Sequence, residues 1–194
     1  TSPFLSIIYP AHNEEQRLPA TLEQTRDFIH SQTFPIEVLI IENASTDNTY
    51  KIAQEFSKSC PNVTVIHEDR PGKGLAVQTG MLAARGKYRF ICDVDLSMPI
   101  QEIPRFIPPL LENVDIAIAS REAKGAVRYE EPQYRHLVGR IFNSFVRCLA
   151  LPSLQDTQCG FKCFSGEAAE ILFPLQPIQG WTFDVEVLAI ARQL

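Results

Sequence analysis

Apolar residues along the chain fall into short runs rather than one long block. At residues 4–9, 37–42, 62–67, 88–93 and 115–120 the runs are bounded by turn-forming residues, and several are nearly continuous in apolar side chains. A strand apolar on both faces lies between two covering layers. Between the runs the spacing changes: Leu18, Leu22, Thr25 and Ile29 keep to one helical face, as do Ile52 and Phe56, and residues 75–84 are rich in helix formers. Strand, helix, strand repeated predicts an α/β fold with a mostly parallel central sheet and helices on both faces. Further on, the pattern predicts a helix over 132–150, a turn at Pro152, a short strand over 160–164 and a last helix from Phe183 onward. No internal repeat, low-complexity stretch or linker interrupts the chain, and 194 residues suit a single domain, 1–194.

In such a sheet ligands bind beyond the carboxyl ends of the strands. The segments there are Pro10-Ala11-His12-Asn13-Glu14, Asn43-Ala44-Ser45-Thr46-Asp47, Glu68-Asp69-Arg70-Pro71-Gly72-Lys73-Gly74, Val94-Asp95-Leu96-Ser97 and Arg121. All are polar or glycine-bearing, so the ligand edge is also where the chemistry-bearing residues collect. The strand 88–93 ends in Asp93-Val94-Asp95, two carboxylates one residue apart. Such a pair fits a solvated strand end, or a divalent ion with oxygen ligands shared with substrate phosphates. Lys73, in a glycine-flanked loop that opens a helix, fits either an anion site or a solvated turn. Neither GxxxxGK[ST] nor GxGxxG occurs in its expected place, which argues against a P-loop NTPase and a dinucleotide oxidoreductase. Asn13 is a good helix cap, and Glu42 sits at a strand end where it is either solvated or in contact with a nucleoside. Arg121 and Arg135 flank a loop and suit phosphate oxygens. Asp184 reads as a helix-dipole partner, and the lone Trp181 as core.

Composition narrows the partners. With 45% hydrophobic and 21% charged residues the chain is neither disordered nor fibrous, and a net charge of -5 argues against a nucleic-acid interface. The five cysteines show no CxxC pair and no zinc spacing with histidine, which predicts free thiols and a reducing compartment. No apolar run approaches the roughly 20 residues of a membrane span, and the first residues lack the pattern of a signal peptide.

Taken in order, Pro-Ala-His-Asn-Glu, Glu-Asn-Ala-Ser-Thr-Asp, Gly-Lys-Gly, Asp-Val-Asp-Leu-Ser, Ser-Arg and Asp156-Thr157-Gln158-Cys159-Gly160-Phe161-Lys162 resemble family 2 glycosyltransferases of GT-A fold. The Asp156–Lys162 segment and Trp-x-Phe-Asp-x-Glu are more particular to members that resemble dolichyl-phosphate beta-glucosyltransferases. The resemblance covers essentially the whole chain. It implies a metal-dependent, inverting transfer of glucose from UDP-glucose to a polyprenyl or dolichyl phosphate, with Mg²⁺ or Mn²⁺ held by Asp93 and Asp95 and helped by Ser97. Pro10, Ala11, Glu14 and Glu42 would line the nucleotide site with Lys73, Asp93 and Val94. Arg121 and Arg135 would hold the acceptor phosphate. Two departures stand out: His12 replaces the family's usual tyrosine, and Glu42-Asn43-Ala44-Ser45 replaces Asp-Asp-Gly-Ser.

A lipid phosphate needs no general base, because its second pKa of about 6 leaves it largely dianionic. A hydroxyl acceptor would need one, for which Asp156 or Asp184 is the candidate. A GDP-mannose donor, a saccharide acceptor, a nucleotidyltransferase and a non-catalytic sugar-nucleotide binding module are the alternatives. The resemblance further implies a catalytic domain lacking its C-terminal end, cytoplasmic and peripheral to or anchored at the cytosolic face of a membrane.

Overall fold

The computed structural model describes residues 2–120, 151, 154 and 156–194. Its centre is a six-stranded sheet built from β1 (Leu5–Ala11), β2 (Ile36–Asn43), β3 (Val63–Glu68), β4 (Tyr88–Cys92), β5 (Ile116–Ile118) and β6 (Phe161–Ser165), in the order β3-β2-β1-β4-β6-β5. Pairings among β1 to β4 are parallel, whereas β6 runs antiparallel to both β4 and β5. The sheet is therefore mixed: five strands point one way and β6 against them. The periodicity predicted the parallel part, and it carries no information about direction for a short isolated run such as 160–164. The strand predicted at 115–120 shortens to Ile116–Ile118. The helix predicted over 132–150 and the turn at Pro152 lie outside the described residues.

Two helical layers cover the sheet. On one face α1 (Leu18–Ser31), α2 (Thr49–Ser59) and a 3-10 turn (Ile100–Phe106) supply Leu18, Leu22, Phe28, Ala53, Ile100 and Ile103 to a core shared with Ile7, Tyr9, Val38, Ile40 and Phe90. On the other, α3 (Lys73–Ala83), α4 (Gly166–Leu172) and α5 (Phe183–Gln193) bury Val77, Met81, Leu172, Phe183 and Val187 against Ile8, Leu39, Ile41 and Ile91. The alternation of Ile7 and Ile8, or Ile40 and Ile41, between the two cores is the period-2 geometry of a strand covered on both sides. Thr25 is tolerated in the α1 interface because its hydroxyl meets the Tyr9 hydroxyl at 2.8 Å. Cys60, Cys92 and Cys163 are buried thiols. Among the described residues no helix is long and apolar enough to cross a membrane.

This topology fixes where a ligand goes. β1 is flanked by β2 on one side and β4 on the other, so the connections diverge there and leave a crevice beyond the carboxyl ends of β1 and β4.

Candidate active site

That crevice is a cleft of about 540 Å³ lined by the loop after β1 (Pro10, Ala11, His12, Glu14, Arg17), Asn43 at the end of β2, the start of α3 (Pro71, Gly72, Lys73, Ala76), the residues after β4 (Asp93, Val94, Asp95) and Trp181. Of the residues expected at the nucleotide and metal sites, the fold thus brings together Pro10, Ala11, Glu14, Lys73, Asp93, Val94 and Asp95.

The nucleotide-side loops are clipped to each other. Asn13 adopts a positive φ of 54° and does not cap α1, whose first residue is preceded by Arg17 without a side-chain cap. Instead, the Asn13 amide donates to Ser45 Oγ (3.0 Å), and Asn13 Oδ1 accepts from the Thr46 amide (2.8 Å). The Glu14 amide donates to Thr49 Oγ1 (2.7 Å), the Glu15 amide to Asp47 Oδ2 (3.1 Å), and Glu15 Oε2 accepts from the Asn48 amide (3.0 Å). Ala44, standing where the resemblance has glycine, carries φ 51°, a left-handed conformation that explains the glycine preference. Glu42 does not line the cleft. It is buried beneath it, where one oxygen accepts from the Ser45 amide (2.6 Å) and the other meets His67 Nδ1. The bond to Glu42 raises the His67 pKa against the smaller opposing effect of burial, and Asp69 adds to the rise.

Asn43 ties β2 to the loop before α3: its Oδ1 accepts from the Gly72 amide (2.8 Å) and its Nδ2 donates to the Arg70 carbonyl (2.6 Å). Gly72 has φ +151°, and a Cβ there would lie 2.5 Å from the Gln179 carbonyl oxygen. Glycine is required at that crossing. Lys73 follows and reaches over the cleft, donating to Asp93 Oδ1 at 2.7 Å, with its Nζ 5.0 Å from the Trp181 ring centroid. Trp181, read from the sequence as core, is 73% exposed at the cleft mouth.

Asp93 and Asp95 diverge from the end of β4. Leu96 turns the chain with φ 45°, and Asp95 Oδ1 accepts from the Ser97 amide at 3.0 Å. Ser97 thus contributes its backbone here and does not line the cleft. Two hard carboxylates on an open cleft fit a divalent cation that completes its shell with phosphate and water oxygens, the arrangement Mg²⁺ favours. Among the described residues no third Asp, Glu, His or Cys joins them to form a full protein cage. Burial pushes the Cys92 thiol far up, with Asp93 adding to the effect, which removes thiolate chemistry beside the site.

Behind Asp93 sits Gly160. Asp156 is buried, its Oδ1 accepting from the Gln158 amide (3.1 Å), and Lys162 on β6 is buried with its Nζ on Asp184 Oδ1 (2.6 Å). Asp184 is therefore more than a helix-dipole partner. Burial raises its pKa, with Lys162 and then Lys73 opposing. Neither Asp156 nor Asp184 lines the cleft. Arg121 and Arg135 lie outside the described residues. The sequence placed His12, Asn43 and Gly72 at the ligand edge without giving them a role, and Arg17 was not singled out as a cleft residue. All four fall in or beside the strand-end segments, so position along the sheet edge was the signal for them.

The model of glycosyl transferase family 2 matches residues 6–172. The dolichyl-phosphate beta-glucosyltransferases of Dictyostelium discoideum and Drosophila melanogaster are 33% and 34% identical to the chain, each over 98% of it and 63% of the relative. The chain spans about three fifths of the length of these relatives. Among solved structures, glucosyl-3-phosphoglycerate synthase from Mycobacterium tuberculosis, in complex with Mn²⁺, UDP-glucose and phosphoglyceric acid, superimposes with a TM-score of 0.71 at 19% identity, covering 98% of this chain and 66% of that one. A second structure of that synthase, in complex with UDP, gives 0.69 at 21% identity, covering 96% and 64%. At such identities the structures speak for a shared fold.

Proposed function

The chain belongs to glycosyl transferase family 2, and we propose that it is the catalytic domain of an inverting glucosyltransferase that moves glucose from UDP-glucose to the phosphate of a polyprenyl or dolichyl lipid. The relatives named dolichyl-phosphate beta-glucosyltransferases support glucose as the sugar moved and a dolichyl phosphate as the acceptor class. The observation that carries the phosphate acceptor is the placement of Asp156 and Asp184. Both are buried and neither lines the cleft, with Asp184 held by Lys162, so the carboxylates put forward as general bases are not presented to an incoming hydroxyl. A phosphate oxygen requires neither.

In this reading Pro10, Ala11 and Glu14 hold the nucleoside side of the donor, and Glu42 shapes that side from below through Ser45. Val94 lines the path of the diphosphate, and Lys73, whose ammonium stands on Asp93 Oδ1, is the cation beside it. Asp93 and Asp95 would hold a Mg²⁺ or Mn²⁺ ion, with Ser97 bracing Asp95, and such an ion supplies charge neutralisation as the diphosphate leaves. The acceptor oxygen bonds to the anomeric carbon from the face opposite the departing UDP, whose oxygen takes the electron pair. Configuration inverts, and no proton has to move. Arg121 and Arg135 hold the acceptor phosphate. A lipid acceptor puts the reaction at a membrane surface.

The test is incubation with radiolabelled UDP-glucose, polyprenyl phosphate and Mn²⁺ or Mg²⁺, followed by solvent extraction. Glucose should pass into the lipid phase. EDTA or Asp95→Ala should lower turnover at least about a hundredfold, the loss of roughly 3 kcal/mol of charge stabilisation. Arg121→Ala and Arg135→Ala should each cost about ten- to a hundredfold in kcat/KM for the lipid, with UDP affinity within about twofold. Unchanged turnover in EDTA, or transfer only to saccharide hydroxyls or only from GDP-mannose, would overturn the assignment.

A further inference from the structure

We propose that the buried Lys162–Asp184 pair is a positioning device for the Asp93 carboxylate, and that through the 159–160 turn it sets how tightly the centre holds a divalent cation. This rests on the metal-bearing role proposed for Asp93.

The argument starts from strand direction. Because β6 runs against β4, with Phe161 paired to Cys92, the residue before β6 is delivered beside the residue after β4. Gly160 therefore meets Asp93. A Cβ on Gly160 would stand 1.7 Å from Asp93 Oδ2 and 2.3 Å from its Cγ, so the carboxylate rests directly on the glycine backbone. Any displacement of that backbone is a displacement of the carboxylate. Asp93 is gripped on its other side by Lys73, whose Nζ takes Oδ1 at 2.7 Å.

What holds the Gly160 backbone is the preceding carbonyl. Lys162 reaches back from β6 and donates to the Cys159 carbonyl oxygen at 2.5 Å, and the same ammonium donates to Asp184 Oδ1 at 2.6 Å. Asp184 sits in the first turn of α5, so its carboxylate anchors the ammonium from the helical layer. Both side chains are almost wholly removed from water, 1% exposed for Lys162 and 8% for Asp184. A buried ion pair is a poor source of stability, since apolar residues of similar volume do as well or better. A direction-specific contact to one carbonyl is something apolar residues cannot supply. Partners that orient the groups holding a metal typically change its affinity by about 10- to 100-fold when lost.

The test separates positioning from folding. Lys162→Met combined with Asp184→Leu removes both charges together and keeps an apolar core, so cooperative unfolding should persist. Three quantities are then measured: Mn²⁺ affinity in the presence of UDP by calorimetry, UDP affinity in EDTA, and the thermal midpoint. The double variant should bind Mn²⁺ about 10- to 100-fold more weakly while metal-free UDP affinity stays within about twofold. Lys162→Arg, which can still donate to both oxygens, should recover most of the loss. Gly160→Ala reaches the same carboxylate from the other end with the ion pair intact, and should weaken Mn²⁺ binding likewise, which keeps the question answerable if the double variant does not fold. Wild-type Mn²⁺ affinity in a folded double variant or in Gly160→Ala would overturn the proposal. If the unmodified protein bound UDP identically with Mn²⁺ and with EDTA, the metal-bearing role of Asp93 would fall, and the positioning proposal with it.

Discussion

The loops leaving β1 and β2 are joined by many small polar contacts, whereas the segment entering β6 on the opposite side of Asp93 is tied to a buried charge pair. On the first side the amides of Asn13, Glu14, Glu15, Thr46 and Asn48 each find a side-chain oxygen of the neighbouring loop, in partly or fully exposed positions. Each such bond contributes a net of about 0.5–1.5 kcal/mol. On the second side Lys162 and Asp184 stand in the dry interior. The difference teaches that one wall of the cleft should weaken by degrees and the other should fail in a single step.

The largest effect expected from this contrast is therefore at Asp184. Asp184→Ala leaves the Lys162 ammonium buried and unpaired, at a cost of about 3–5 kcal/mol. At about 2–4 °C per kcal/mol for a chain of this size, the thermal midpoint should fall by roughly 6–20 °C. A fall of only a degree or two in a melting experiment would erase the contrast.

A smaller effect of opposite sign is expected on the first wall. Ala44 holds φ 51°, which costs an L-residue about 1–2 kcal/mol, while glycine there loses about 0.5–1 kcal/mol more chain entropy on folding. Ala44→Gly should raise the midpoint by up to about six degrees, given a net gain of up to about 1.5 kcal/mol. Destabilisation would mean that the Ala44 methyl makes contacts which outweigh its strain.

The smallest effect concerns His67, which asks whether buried Glu42 relies on charge as well as on the Ser45 amide. The folded pKa of His67 is raised, chiefly by Glu42, with burial opposing and Asp69 assisting, and the ring also packs on Tyr50. Its share of stability is full below the unfolded value of about 6.5 and is lost as pH rises through the raised folded value. The ring is 42% exposed, so the change is slight. Melting at pH 6 and pH 8 should show a small loss at the higher pH that His67→Gln removes; an equal slope in both proteins would assign it elsewhere.

These contrasts also mark what could be read from the residues alone. β1, β2 and β4 were legible because apolar side chains fill both faces, and Asp93 and Asp95 because two charges closing an apolar strand conflict with burial. Lys73 was legible from its glycines. Lys162 and Asp184 were not paired in the reading, since each charge alone looks like a solvated surface residue and only the reversed β6 brings them together. Trp181 was misread for a related reason: an aromatic residue in an uncharged stretch follows the pattern of core, and its exposure depends on where the loop over α3 places it. Asn13 had the chemistry of a helix cap, but the neighbouring loop offered its side chain a different partner.

The strand order carries a consequence for how the polypeptide is made. β4 lies inside the sheet between β1 and β6, yet its second neighbour is encoded only from Phe161 onward. While synthesis has passed Cys92 and not reached Ser165, the backbone edge of Tyr88–Cys92, with Phe90 and Ile91 beside it, has no strand to close it. An open apolar edge of this kind recruits strands from other molecules. Nascent chains stalled in that interval, and fragments cut there, are expected to depend on chaperones and to aggregate without them.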